Sequence, residues 1–131
     1  MINIYWKIDL NEYKKIQRKI EYSVNKYPDL IDLSGDLIIE VDNKTFFKEP
    51  YFSVLEFIRV LEKWLNNTNE NMIYNSIETE DNPLISFIFN DKGWQIISPW
   101  QLFECTDFFT KEELLKAVGC LMESVKEQLE S

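Results

Sequence analysis

Apolar and polar positions alternate cleanly at the start of the chain. Ile2, Ile4, Trp6, Ile8 and Leu10 fall on one side, and Asn3, Tyr5, Lys7 and Asp9 on the other. A period of two predicts a strand over 2–10 with one buried face. The period then lengthens. After Asn11, a suitable N-cap, Tyr13, Ile16, Ile20, Val24 and Tyr27 form one stripe, which predicts a helix over 12–27 closed by Pro28. Residues 28–35 read as a loop or irregular edge. Leu37–Val41 and Thr45–Glu49 flank Asp42-Asn43-Lys44, the pattern of a hairpin with a short turn.

Pro50-Tyr51-Phe52 leads into Ser53-Val54-Leu55-Glu56. Ser followed by Glu three residues later has the form of a capping box. Val54, Phe57, Ile58, Leu61, Trp64 and Leu65 continue as a helical stripe ending near Leu65. A polar connection over 66–71 follows, then three predicted strands at 72–79, 84–90 and 93–98, with Gly93 supplying a turn. Thr110 and Glu113 form a second capping-box pattern. It opens a terminal helix over 111–129 whose apolar face is Leu114, Leu115, Val118, Leu121, Met122, Val125 and Leu129. The predicted order is β-α-ββ-α-βββ-α. It describes one α+β domain spanning 1–131, with a largely antiparallel sheet of about five to six strands and three helices on it.

Composition narrows the chemistry. No histidine occurs in 131 residues, so the commonest general base and metal ligand is missing. No G-x-S-x-G elbow is present, and three glycines cannot build a phosphate-cradling loop. These features point away from an enzyme and name no cofactor or metal. Glu78, Glu80 and Asp81 offer oxygens to a hard cation. Their spacing matches no EF-hand loop, and a solvated strand end is the plainer reading.

Charge is uneven. The chain carries −9 in total, with +3 over 1–27 and −12 over 28–131. A field of that sign repels nucleic acid and anionic lipid and suits a basic protein partner, although acidity also simply favours solubility. Lys14, Lys15, Arg18 and Lys19 read as a solvated helix face. No stretch approaches a membrane span, and the first residues lack a secretory pattern. The expectation is a cytoplasmic protein, monomeric or weakly dimeric, with Cys105 and Cys120 reduced and Cys120 a small core residue.

The densest polar-aromatic stretch is Gly93-Trp94-Gln95-Ile96-Ile97-Ser98-Pro99-Trp100-Gln101-Leu102-Phe103-Glu104. Trp94 and Trp100 either seat the terminal helix or anchor a ligand. With Glu78, Glu80, Asp81, Glu104 and Asp107 gathered around them, they would form an acidic patch with aromatic anchors. Such a patch speeds encounter with a basic protein and holds it.

GDLIIEVDNKTFFKEPYFSVLEFIRVLEKWL followed by GWQIISPWQLFE, in a compact acidic chain of AT-rich composition, resembles the small immunity proteins of bacterial polymorphic-toxin systems. The resemblance implies a non-enzymatic inhibitor that covers the basic cleft of a cognate toxin. The alternative is an adaptor or assembly subunit acting as a protein-interaction module. A carboxylate- or metal-dependent enzyme is a third reading.

Overall fold

The computed structural model describes residues 1–8 and 34–130. The helix expected over 12–27, and the basic cluster on it, lie outside the described residues.

Strand β1 (Ile2–Ile8) pairs antiparallel with β2 (Ser34–Val41), setting Ile4 opposite Ile39 and Trp6 opposite Leu37. The alternation predicted for β1 holds residue by residue: Ile2, Ile4, Trp6 and Ile8 are buried and Asn3, Tyr5 and Lys7 are exposed. β2 turns into β3 (Lys44–Ser53) through Asp42 and Asn43, both at positive φ (50° and 67°). Two residues with positive φ match the right-handed twist of the flanking strands, so the turn is one residue tighter than the three-residue version expected. β3 also runs further than expected, through Pro50-Tyr51-Phe52, and passes directly into helix α1 (Val54–Leu65).

The second sheet contains β4 (Met72–Tyr74), β5 (Ile85–Asn90) and β6 (Gly93–Ile97), all antiparallel. Helix α2 (Lys111–Glu130) follows. The expectation of one sheet of five to six strands under three helices is therefore corrected. The described residues form two three-stranded antiparallel sheets, ordered β1-β2-β3 and β4-β5-β6, and two helices.

The reason for two sheets lies in α1. Its buried residues are Val54, Phe57, Leu61 and Trp64. Phe57 packs against Phe52 of the first sheet (5.7 Å between ring centres) and against Tyr74 of the second (5.0 Å). Trp64 meets Phe87 and Trp94 of the second sheet at 5.5 and 5.7 Å. This helix thus touches both sheets, which also meet directly through Phe52 and Tyr74 (5.9 Å), while α2 packs on β1 of the first sheet. The sheets share a core without pairing strands.

The two capping-box sequences behave differently. Thr110 and Glu113 form the reciprocal pair, the Glu113 N–H donating to Thr110 Oγ1 (3.1 Å) and the Thr110 N–H to Glu113 Oε1 (3.2 Å). Ser53 makes no side-chain cap bond to α1. Its hydroxyl donates to Glu78, and Glu56 accepts the N–H of Ile77 instead (3.1 Å).

On α2, Leu114, Ala117, Val118, Leu121 and Val125 are buried. Cys120, expected in the core, is exposed, while Cys105 is buried. Cys120 follows Gly119, which is also exposed, so it lies just past the edge of the apolar stripe. Near the end of α2, Gln128 closes the free edge of β1. Its Nε2 donates to the Trp6 carbonyl (2.6 Å) and its Oε1 accepts the Ile8 N–H (2.8 Å), as a neighbouring strand would.

Candidate protein-binding surface

The site begins with an irregularity in β3. Gly35 pairs with Phe52 and Leu37 with Glu49, so Pro50 and Tyr51 together face the single residue Asp36. This is a β-bulge, and a proline that cannot donate to a ladder is at home in one. The extra residue throws Tyr51 outward. It sits at φ 60°, a left-handed conformation that is unfavourable for a bulky side chain, and it is 74 % exposed. Such a backbone holds about 1–3 kcal/mol of strain.

Below Tyr51 lies a hollow of about 100 Å³, whose walls include Glu49, Tyr74, Ser76, Glu78 and Trp100. Two elements position these groups. The turn of β3 into α1 brings Glu49 and Ser53, and the long connection after β4 brings Ser76 and Glu78. That connection is organised by Asn82, which accepts the Ser76 N–H (2.9 Å) and donates to the carbonyls of Ser76 (2.9 Å) and Thr79 (2.8 Å). These bonds replace a ladder. The strand expected over 72–79 therefore ends at Tyr74, and Ile77 is left 80 % exposed.

Trp100 is fixed on two sides. Its ring is stacked on Phe47, with centres 6.4 Å apart and planes at 14°. Its indole N–H donates to Asp81 Oδ2 at 2.8 Å.

The electrostatics of the hollow are unbalanced. Burial raises the Glu49 carboxyl above its ordinary range. Burial likewise pushes the Tyr74 phenol well up, with the Glu56 and Glu78 carboxylates adding to the effect, so the phenol stays protonated. Glu78 Oε1 accepts from Ser53 at 2.5 Å. Glu56 Oε2 is buried and has no hydrogen-bond partner. Among the described residues, the ion pairs within 4.0 Å join the Met1 amino group to Asp42 and to Glu113. None of Glu49, Glu56, Glu78, Glu80 and Asp81 pairs with a described lysine or arginine.

The seven residues expected to form one patch are divided by the fold. Glu78, Glu80, Asp81 and Trp100 gather around the hollow and the loop that borders it. Glu104 and Asp107 line a different hollow with Asp42 and Lys44, sharing no wall with the first. There Asp107 shares a hydrogen bond with Asp42, which raises the Asp107 carboxyl. Asp42 is held low, chiefly by its bond to the Met1 amino group. Trp94 is 2 % exposed, packs on Trp64 and Phe89, and exchanges both backbone bonds with Phe109 (2.9 and 2.7 Å). Its ring belongs to the core.

Glu49, Tyr51 and Ile77 were not expected at the site. Pro50 was the available signal, because a proline inside a strand pattern marks a bulge. Among the described residues no group of three or more Cys, Asp or Glu side chains is placed to hold a metal ion, and no helix is long and apolar enough to cross a membrane.

No curated protein and no solved structure matches the chain. The family described as a domain of unknown function, DUF7878, matches residues 7–131, and the chain belongs to that family.

Proposed function

We propose that this protein is a non-enzymatic binding domain that captures a basic protein on the surface around Tyr51, Ile77, Glu78, Asp81 and Trp100. In this reading it is an immunity protein that neutralises a toxin by covering its cationic cleft. The observation that carries the reading is Tyr51: a large ring, 74 % exposed and held at positive φ, beside carboxylates that no described cation neutralises. A strained, solvated aromatic contributes little to folding. Presented with unpaired anions, it suits a ligand that brings positive charge and apolar area together. The chain's charge of −9 adds long-range attraction to the same partner.

The test uses the basic protein co-purifying with the tagged chain, measured in association kinetics at low and high salt. The expected result is an on-rate that falls steeply with salt, slows when Glu78, Glu80 and Asp81 are reversed to lysine with the fold intact, and accompanies loss of the partner's activity. Tyr51→Ala is expected to speed dissociation. Association indifferent to salt and to the reversals would replace this reading with that of an adaptor bound through apolar contacts.

A further inference from the structure

The hollow beneath Tyr51 is small and mixed in character. Its volume of about 100 Å³ corresponds to roughly three waters. Its walls combine the rings of Tyr51, Tyr74 and Trp100 with the carboxylates of Glu49 and Glu78 and the hydroxyl of Ser76. The Glu49 side chain makes no hydrogen bond or ion pair with a described residue, and it is partly removed from water. A neutral apolar group seated here would strip water from carboxylates and return nothing to them, which is costly.

We infer that the hollow receives one arginine side chain of the bound protein, its guanidinium lying among the rings and donating to Glu49 and Glu78. The inference rests on the basic-partner reading above and specifies what that partner inserts. Arginine fits better than lysine on three grounds. Its planar head stacks on aromatic faces, its fork of N–H groups serves two carboxylates at once, and it sheds water at lower cost than an ammonium group. Trp100, fixed by Phe47 and Asp81, needs no rearrangement to form a wall.

The probe is Nα-acetyl-arginine methylamide, titrated into the whole protein while the Trp100 indole N–H is followed by NMR. A saturable shift is expected, smaller for the lysine analogue and absent for the uncharged citrulline analogue. Glu49→Gln, which breaks no internal bond, is expected to weaken the response by about tenfold or more. Equal responses to the arginine and citrulline compounds, no saturable shift, or indifference to Glu49→Gln would overturn the assignment. The two readings separate cleanly. A basic partner that still binds with salt-sensitive kinetics, unaffected by excess arginine amide and by Glu49→Gln, removes the arginine site and leaves the partner. A charge-dependent Trp100 response without any basic partner does the reverse.

Discussion

The indole N–H of Trp100 points at Asp81 Oδ2, 2.8 Å away and nineteen positions back along the chain. This bond ties the strand-ending Ser98-Pro99-Trp100 segment to the loop that carries Glu78. Asp81→Ala is expected to speed solvent exchange of the Trp100 indole proton, while Asp81→Asn, which retains an acceptor, leaves it slow. Both variants are expected to change global stability by less than about 1 kcal/mol, because the pair is exposed. Hydrogen-exchange NMR and urea unfolding measure the two effects; equal exchange rates in Asp81→Ala and the parent would break the proposed tie.

Acid is expected to weaken ligand capture through Glu49. Burial raises the folded-state pKa of this carboxyl above the ordinary 4.5, so the folded protein favours its protonated form. The stabilising contribution is complete below the unfolded pKa and is lost as pH rises through the higher folded value. Glu49→Gln removes this dependence. In urea titrations from pH 4 upward, the parent is expected to lose stability relative to the variant across that window. The same window governs the arginine-amide response, which in the parent grows as Glu49 ionises. Parallel stability curves for parent and variant would show that Glu49 does not titrate with folding.

Gly35 and Gly119 are expected to respond to alanine in opposite directions. A Cβ on Gly35 would run into the Lys7 carbonyl and lie 2.8 Å from the Trp6 ring, neither of which is free to retreat. Gly35→Ala is expected to cost about 1–3 kcal/mol, the range for forced overpacking. A Cβ on Gly119 meets nothing within 4 Å, in the interior of α2. Gly119→Ala is expected to add about 0.8–1 kcal/mol through helix propensity. Shifts in urea midpoint report both signs.

The sequence pattern of Thr110 and Glu113 matches that of Ser53 and Glu56, yet their substitutions are expected to differ. Thr110→Ala removes a working N-cap and costs about 1 kcal/mol. Ser53→Ala leaves the start of α1 as it is and frees Glu78, and Glu56→Ala releases the Ile77 amide. Their signature is faster amide exchange at residues 76–79, with α1 amides unchanged. Fraying of α1 in Ser53→Ala would restore the capping role.

Much of the architecture was legible in the apolar periodicity. The period of two in β1 matches the burial found. Of the expected α1 stripe, Val54, Phe57, Leu61 and Trp64 are buried, Ile58 is half-buried and Leu65 exposed. On α2, Leu114, Val118, Leu121 and Val125 are buried while Leu115 and Met122 are half-buried. The misreadings share a cause, which is that local pattern does not reveal where a backbone finds its partners. Met72, Tyr74, Ser76 and Glu78 alternate like a strand, but Asn82 takes the amide and carbonyl of Ser76, and pairing stops. Ser53 and Glu56 satisfy a local motif and are recruited by a loop more than twenty residues away. Glu78, Asp81 and Trp100 come together across the chain, while Glu104 and Asp107 lie at another hollow. Trp94 could not be told from Trp100 by type alone, because a ring buried by Trp64 and one left half-exposed have the same spelling. Tyr51 depended on a bulge, visible only once β2 and β3 are in register.

Gln128 gives the fold a direction in time. The amide that seals β1 lies 120 positions after Ile8, so a ribosome making this chain releases the strand long before its cover. β1 can pair with β2 as soon as it emerges, but among the described residues the outward Trp6 carbonyl and Ile8 N–H meet Gln128 only when the last turns of α2 arrive. During that interval the nascent sheet can recruit a strand from a second chain. The last turns of α2 therefore shorten the time for which this end of the edge, at Trp6 and Ile8, stands open to a foreign strand.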